Sequence, residues 1–344
     1  MTNSADLPKI PHVPLNPAWL ALYQEEILDP GLPIVDPHHH LWDHHGGYLL
    51  DELVRDTDTG HNVEATVFVQ CGFAYRQSGS EALRPVGETE FVAGIAQEAE
   101  RRKLPLRACA GIVGAADLAL GDKVEEVLNA HVAAGIGRFR GIRHITARHE
   151  EFNASLLGRP PARQMADANF RKGFARLAAL GLTFDAWLYH TQIPELTDLA
   201  QAFPHAPIVL NHVGGPLGVG PYRGDRDRTH REWLSAMKEL AGCPNVHVKL
   251  GGLGMGIMGF DFHKEDLPPS SEKLASSWRP YMETSIQLFG ANRCMFESNF
   301  PVDKAMFSYP VLWNAFKRIA SGASAAEKSA LFHDTAARFY HLSA

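Results

Sequence analysis

Eight short apolar runs, separated by longer segments with helical patterns, constrain the fold of this chain more than any other feature. Most of the runs are apolar nearly throughout, which is typical of parallel strands that are buried on both faces. The runs are residues 34–38, 65–70, 106–112, 139–144, 182–188, 207–212, 245–250 and 293–298. The helical patterns between them include residues 88–103, 122–135, 170–181 and 229–242.

Strands that alternate with helices in this way predict an α/β protein folded as a (β/α)8 barrel of the TIM type. The alternative is an open, doubly wound parallel sheet. Such a sheet commonly carries a GxGxxG motif directly after its first strand, and this chain has none there. We therefore expect one barrel domain over residues 34–344.

The two ends of the chain are expected to lie outside the strand–helix repeat. Residues 1–33 are predicted to form an N-terminal arm with a helix, because Asn16 is a suitable N-cap and Pro17 suits the first helical position. Apolar residues follow at helical spacing, namely Trp19, Leu20, Tyr23 and Ile27. Ser324 and Glu327 have the spacing of a capping box, which predicts a C-terminal helix that closes the barrel.

Composition excludes several classes of partner. The net charge of −6 and the lack of a basic tract argue against nucleic acid, and no apolar run approaches the roughly 18 residues of a membrane span. The first residues lack the pattern of a secretory signal. The four cysteines are far apart in the sequence, which favours reduced thiols. We expect a soluble, cytoplasmic protein that acts on a small molecule, and a homo-oligomer stays open.

The segments that leave the predicted strands are much longer than those that enter them. Long segments follow the strands at 71–88, 145–168, 213–228 and 251–272. In barrel enzymes the site is built from the loops at the carboxyl ends of the strands. This asymmetry predicts an enzyme or a ligand-binding barrel.

Histidine and basic residues stand where several strands end. His38 and His40 are two residues apart, so in a strand both imidazoles face one way and are able to grip a single ion, whereas His39 faces the other way. Further candidates at strand ends are Arg143, His190, His212 and Lys249. Each one alone is typical of a hydrogen-bonded group at the barrel rim. Their joint occurrence at the same end favours a functional site.

Strand eight supplies the candidate acid. Glu297 and Asn299 are two residues apart and share a face, but an amide is too weak a base to activate water. Glu297 lies one pleat deeper, about 6.6 Å along the strand. Asp303 in the following loop is a further candidate base. The alternative for Glu297 is a buried acid that pairs with Lys249 or Arg143.

Several motifs resemble those of the amidohydrolase-related family often called amidohydrolase 2. They are Asp-x-His-x-His followed by Leu-Trp-Asp, then "GIRH", "LNHVGGP" and a Ser-x-aromatic-Pro-Val block, in that order along the chain. The similarity runs from about residue 34 to "ARFYHL" near the C-terminus. It is closer to the lactonase branch, which includes 2-pyrone-4,6-dicarboxylate lactonase and sugar-lactone hydrolases.

The resemblance implies a (β/α)8 barrel and hydrolysis at a carbonyl carbon. It implies His38 and His40 as site residues of the first strand, His212 as a further ligand or electrophile, and Arg143 as an anchor for a substrate carboxylate. The branch contains members that use a divalent ion and members that work without one. A single divalent cation, zinc or manganese, is therefore one expectation and a metal-free mechanism is the other.

The chain departs from the family in one position. The strand-eight block of the family carries an acid where this chain has Asn299, and that acid is the usual base. A two-metal site bridged by a carboxylated lysine is not expected, because strand four ends in arginine and histidine.

The sequence thus favours a hydrolase of a lactone or similar cyclic ester, derived from an acid or a sugar. The predicted catalytic residues are Glu297, Asn299, His190 and His212, and the predicted metal ligands are His38, His40 and His212. Predicted substrate contacts are Arg143, Lys249, Tyr75 and Arg76, with a surface ion pair as the equal alternative for Arg76. The alternative functions are a metal-dependent decarboxylase of an aromatic or unsaturated acid, and a ligand-binding barrel that has lost turnover. Residues 251–266 are either a mobile apolar lid or a subunit contact.

Overall fold

A computed structural model describes residues 7, 10, 13–44, 46–153 and 159–342. Its eight strands are β1 (Pro33–His39), β2 (Asn62–Val69), β3 (Arg107–Gly114), β4 (Phe139–Ile145), β5 (Thr183–Trp187), β6 (Ile208–Leu210), β7 (Val246–Leu250) and β8 (Cys294–Phe296). All neighbouring pairs are parallel, and the strands follow one another in chain order. The predicted (β/α)8 barrel is confirmed.

The barrel closes through the residues that follow β8. The backbone N–H of Asn299 donates to the carbonyl of His38 at 2.9 Å, and the N–H of His40 donates to the carbonyl of Phe300 at 2.8 Å. The N–H of Ser298 also donates to the carboxylate of Asp36 at 3.0 Å. The segment from 298 to 300 is therefore fixed against β1, so the first and last strands bring their functional residues together.

Helices surround the strands. The helices are α1 (Pro17–Leu20), α2 (Leu50–Thr57), α3 (Val86–Arg101), α4 (Val124–Ala134), α5 (Ala168–Ala179), α6 (Ile193–Ala202), α7 (Arg226–Ala241), α8 (Ser271–Phe289), α9 (Tyr309–Ile319), α10 (Ala325–Ser329) and α11 (Thr335–Phe339). A π-helical stretch, Ala330–Asp334, joins α10 to α11. The apolar faces of these helices pack on the outer face of the sheet in one continuous core.

The C-terminal helix closes the amino end of the barrel. Ser324 and Glu327 form the predicted capping box at its start. Beyond its end, Tyr340 enters the interior of the barrel, where its hydroxyl donates to both carboxylate oxygens of Asp185, at 2.9 and 3.0 Å. The surrounding apolar side chains are Val35, Ala65, Val67, Val69, Val113, Val209, Met295, Ala336 and Phe339. The interior is therefore filled at the amino end of the barrel, and any ligand enters at the carboxyl ends of the strands.

The N-terminal helix is much shorter than predicted. Asn16 caps it and Pro17 is its first residue, but it ends at Leu20 rather than continuing towards Ile27. Tertiary contacts replace the helical bonds further on, because the side chain of Asn314 in α9 accepts from the N–H of Leu28 at 2.8 Å and donates to the carbonyl of Glu26 at 2.8 Å. Helical spacing of apolar residues is a weak signal when side chains from another element satisfy the backbone.

Some sequence expectations fall on residues outside the described part. These are most of the first twelve residues, where a secretory signal was not expected, and residues 154–158 of the loop after β4. Within the described residues, none of the helices has the length and apolar character needed to cross a membrane. All four cysteines are free.

Asn314 is expected to contribute strongly to stability. Replacing Asn314 with Ala leaves the backbone groups of Leu28 and Glu26 without their partners, so we expect the free energy of unfolding to fall by about 1–3 kcal/mol. Urea denaturation measures this change. Asn62→Ala is the control, because Asn62 is exposed and its side-chain amide donates to the nearby exposed region of the same strand, at Glu64. A loss there as large as that of Asn314→Ala would contradict the assignment.

Candidate active site

Three side chains from three strand ends form the centre of the site. His38 is the penultimate residue of β1, His212 follows β6, and Glu297 follows β8, and all three are buried. Nδ1 of His212 lies 2.7 Å from Oε1 of Glu297, and Nδ1 of His38 lies 2.7 Å from Oε2. The backbone N–H of His212 also donates to Oε1 at 3.0 Å. The carboxylate of Glu297 thus stands between two imidazoles.

The chemistry of this donor set fits a divalent cation. His38, His212 and Glu297 offer ligand atoms that all lie within 4.8 Å of one another. Within the described part of the chain, Nε2 of His38 and Oε2 of Glu297 are buried without a hydrogen-bond partner, even though Oε2 is close to His38. Two histidines and one carboxylate are a common ligand set of catalytic zinc.

Burial controls the protonation of the cluster. Desolvation raises the pKa of Glu297 to about 8, with the charges of Lys249 and Arg143 acting in the opposite direction. Desolvation lowers the pKa values of His38 and His212 well below the ordinary value, and the same two cations lower them further. Both imidazoles are therefore neutral near pH 7, which is the form that binds a metal ion.

Lys249 lies beneath this cluster in the interior of the barrel. Its fully buried ammonium group donates to Oδ1 of Asp185 at 2.7 Å and to the carbonyl of Pro37 at 2.8 Å, and it lies 3.3 Å from Nδ1 of His38. Its carboxylate partner is Asp185 rather than Glu297. With these contacts Lys249 supports His38 from below.

A second hydrogen-bonded chain joins His40, Asn299 and Asp303. Nδ1 of His40 lies 2.7 Å from the carbonyl of Val69, and Nε2 lies 3.2 Å from Oδ1 of Asn299. Nδ2 of Asn299 donates to Oδ1 of Asp303 at 2.8 Å, and Oδ2 of Asp303 accepts from the N–H of Gly254 at 2.9 Å. Nδ1 of His40 thus bonds to the backbone of β2, Nε2 faces the amide of Asn299, and Asn299 connects β1 to the loops after β7 and β8.

Arg143 connects the cluster to a cavity, because its charge acts on His38 and His212 and its side chain lines the cavity wall. The cavity has a volume of about 390 Å³, and its wall includes Gln70, Tyr75, Asp117, Arg143, His144, Arg159 and Gln164. Nε of Arg143 donates to the side-chain oxygen of Gln70 at 3.2 Å, and Nη2 donates to the carbonyl of Gln70. The amide of Gln70 donates in turn to the hydroxyl of Tyr75 at 3.2 Å. Two of the predicted substrate contacts therefore meet in one wall.

Two predicted site residues have contacts elsewhere. Arg76 forms an ion pair with Glu90 at the surface. His190 follows β5, where its Nδ1 accepts from the N–H of Leu217 at 3.3 Å and its ring packs edge-on against Tyr222. These contacts give neither side chain a role in the central cluster.

Glycine residues after β7 allow the backbone to touch the cluster. A Cβ atom at Gly252 would lie 2.2 Å from Nδ1 of His212, and one at Gly251 would lie 2.5 Å from Cγ of Glu297. The apolar side chains that follow are largely buried within the chain, including Leu253, Ile257, Met258 and Phe262. The carbonyl of Met258 also accepts from Arg226 of α7. Residues 251–266 therefore pack on their own barrel.

Comparison with known proteins identifies the family. The family described as amidohydrolase matches residues 35–342. The chain belongs to this amidohydrolase family. A protein of Sinorhizobium fredii, described as uncharacterised, is 36% identical over 335 residues, which are 90% of this chain and 99% of that protein. An L-fucono-1,5-lactonase of Burkholderia multivorans is 29% identical over 221 residues, which are 63% of this chain and 70% of the relative.

A solved structure supports the same assignment. The crystal structure of an amidohydrolase from Burkholderia multivorans with bound Zn superimposes with a TM-score of 0.70 at 26% identity, and the match covers 90% of this chain and 99% of that one. The resemblance of this chain to the lactonase branch of the family is confirmed, and the chain is a hydrolase.

Sequence reasoning missed two residues that organise the site of this amidohydrolase. Asp185 is the one acid inside the apolar run 182–188, and a charge in a strand that is buried on both faces indicates a buried partner. Gln70 ends the run 65–70, at the level of the other strand-end candidates. Both signals were present in the sequence, but neither identifies the partner.

Asp303 makes the stability of the amidohydrolase depend on pH. Burial raises its pKa to about 8, so its contribution to stability is present at low pH and is lost as the pH rises from about 4 through about 8. We expect the free energy of unfolding of the wild type, taken relative to that of Asp303→Asn at the same pH, to fall between about pH 5 and about pH 8.5. Urea denaturation with a chelator present measures both slopes.

Asp334→Asn is the control for this measurement. Asp334 is half-exposed, and the hydrogen bond from Ser329 lowers its pKa. It therefore stays ionised over the whole interval, and its replacement leaves the slope unchanged. An Asp303→Asn protein with the full wild-type slope would contradict the buried, protonated state of Asp303.

Proposed function

We propose that this amidohydrolase opens lactones or similar cyclic esters, and that its substrate carries an acidic group or derives from a sugar acid. The observation that carries the proposal is the cluster of His38, His212 and Glu297, together with Arg143, whose charge acts on both histidines and whose side chain lines a cavity. The relatives named as lactonases of sugar acids support the same chemistry.

We infer that His38, His212 and Glu297 hold one divalent cation, with zinc the first expectation and manganese the second. Such an ion polarises a carbonyl group and lowers the pKa of a bound water. Three observations support this assignment: both imidazoles are neutral, Oε2 of Glu297 has no hydrogen-bond partner among the described residues, and a related structure contains zinc. We leave His40 outside the ligand set, because its Nδ1 bonds to the carbonyl of Val69 and the group with converging ligand atoms is formed by the other three residues.

His212 and Glu297 are the proposed proton-handling pair. The backbone N–H of His212 donates to Oε1 of Glu297, and the ring Nδ1 lies 2.7 Å from the same oxygen. This arrangement fixes the ring of His212 and leaves its Nε2 as the nitrogen away from Glu297. In a metal-free form of the reaction, the same pair takes a proton from the attacking water, since a carboxyl with a pKa of about 8 suits proton transfer near neutral pH.

Asn299 has a positioning role in this proposal. Its amide lies between His40 and Asp303 and fixes both. The acid that the family carries at this position is thus replaced by an amide, and the carboxyl groups of strand eight and its loop are Glu297 below and Asp303 beside it. The proposal assigns no chemical step to His190 or Arg76. Lys249 provides the positive charge beneath His38.

Arg143 is the proposed anchor for an acidic substituent. Its guanidinium is fixed by Gln70 on one side and lines the cavity on the other. A planar guanidinium pairs well with a carboxylate through two parallel hydrogen bonds. The substrate is then placed with its carbonyl over the cluster and its acidic group in the cavity.

Metal analysis tests the ligand set. We expect about one equivalent of zinc or manganese in the purified protein, and we expect His212→Ala and Glu297→Gln to lower its affinity at least about 100-fold, since even outer partners of a metal ligand affect binding by this amount. His333→Ala, in a half-buried histidine near the surface, keeps the wild-type affinity. Full activity after complete chelation would contradict the metal assignment and favour the metal-free form.

Substrate selectivity tests the anchor. We expect Arg143→Met to lower kcat/KM for an acidic lactone, such as 2-pyrone-4,6-dicarboxylate, by about 10- to 100-fold, because a hydrogen bond to a charged group is lost. The value for the uncharged L-fucono-1,5-lactone changes much less. Product analysis completes the test, since release of carbon dioxide instead of a ring-opened acid would favour the decarboxylase. Lack of turnover with bound ligand would favour a binding protein.

A further inference from the structure

Glu88 is a buried carboxyl group that the proposed chemistry does not use. It lies in the first turn of α3 and is completely enclosed, and burial raises its pKa to about 7. A glutamate is rarely enclosed in this way unless specific partners hold it. Its partners are in the loop that leaves β2.

One carboxylate oxygen of Glu88 accepts from three consecutive backbone N–H groups. Oε1 lies 3.0 Å from the nitrogen of Cys71, 2.8 Å from that of Gly72 and 2.9 Å from that of Phe73. The loop therefore wraps around the end of this side chain. Without Glu88, these donors would face a buried space with no acceptor, which is costly for backbone groups.

The backbone of the loop needs such an external hold. Ala74 has a φ of 57°, in the left-handed region that residues other than glycine rarely adopt. A conformation of this kind persists only when the surrounding structure enforces it. The loop also packs closely against the backbone of Gly87. An added Cβ there would lie 2.6 Å from both the carbonyl oxygen of Ala74 and the nitrogen of Arg76.

This loop carries one wall of the cavity. Tyr75 comes directly after Ala74, lines the cavity, and accepts at its hydroxyl from the amide of Gln70. Gln70 in turn receives two hydrogen bonds from Arg143. A continuous series of contacts thus leads from Glu88, through the loop and Tyr75, to the guanidinium that faces the cavity.

We propose that Glu88 is a positioning residue for substrate binding, which acts by holding the loop 71–76 so that Tyr75 and Gln70 fix Arg143 in the cavity wall. This inference rests on the proposed function, in which Arg143 anchors the acidic group of the substrate. Glu88 itself touches neither the substrate nor the central cluster. Its effect is therefore confined to substrate affinity and does not extend to metal binding.

Two substitutions disturb the loop independently. Glu88→Leu removes the acceptor, and Gly87→Ala pushes on the loop from the backbone of α3, so a folding defect in one does not end the test. Glu88→Gln keeps an oxygen at the same position and should restore the wild-type behaviour. Glu90→Leu is the matched control, because Glu90 lies two residues further along the same helix and pairs with Arg76 at the surface.

The first measurement is independent of any substrate. Hydrogen exchange followed by mass spectrometry reports on the backbone N–H groups of residues 71–73. We expect them to lose protection in Glu88→Leu, and to keep it in Glu88→Gln and Glu90→Leu. Protection that survives in Glu88→Leu would overturn the inference.

The second measurement separates binding from chemistry. For the acidic lactone we expect Glu88→Leu and Gly87→Ala to raise KM about tenfold with kcat nearly unchanged, as when binding common to the ground and transition states is lost. The zinc content stays at the wild-type value. A loss of kcat with KM unchanged, or a loss of zinc, would overturn the positioning role.

Arg143→Met separates the two proposals. If Arg143→Met raises KM but neither Glu88→Leu nor Gly87→Ala does, the anchor stands and the role of Glu88 is wrong. If Arg143→Met leaves KM unchanged, or if the wild-type protein does not bind the acidic lactone, the anchor itself is wrong and the inference about Glu88 falls with it.

Discussion

The buried ion pair of Lys249 and Asp185 connects the filled interior of the barrel to the site above it. Asp185 also accepts from Asn211, next to His212, and from Tyr340 of the C-terminal segment, while Lys249 bonds to the backbone of β1. Removing one partner of a buried ion pair commonly costs about 3–5 kcal/mol, because the other charge is left without compensation. The strands that carry His38 and His212 are therefore tied to one another through groups that tolerate little change.

This pair also determines the charge that the site experiences. The ammonium of Lys249 lies next to His38 and, together with desolvation, lowers the pKa of the imidazole. The same cation favours the ionised form of Glu297, against the desolvation that raises its pKa. Neutral histidines beside Glu297 suit a cation, whose binding would displace the proton of this carboxyl group, and the positive charge of Lys249 below favours the same ionised form.

The barrel was predictable from the sequence because buried parallel strands leave runs that are apolar nearly throughout, and strand ends indicate the face on which a site is built. The same argument selected His38, His212 and Glu297 as candidates. The sequence placed the two histidines in one ligand set with His40, but it did not place Glu297 between them, since periodicity gives the face of a side chain but not its partners across the barrel. The N-terminal helix failed for a related reason, because Asn314, nearly 300 positions away, satisfies the backbone at Leu28. The role of Glu88 has no signal in the neighbouring sequence, because it depends on the conformation of a loop, which residue patterns do not predict.

Asn299 is the position where sequence and structure together say more than either alone. By analogy with the family, the sequence suggested a lost base. In the structure Asn299 has a φ of 55°, a left-handed conformation that asparagine adopts more readily than most residues. A carboxylate at position 299 would lie beside two buried carboxyl groups, Glu297 and Asp303, whose pKa values are already raised to about 8. An amide avoids that repulsion and still bridges His40 to Asp303, so the substitution is compatible with an active site whose acid has moved to Glu297.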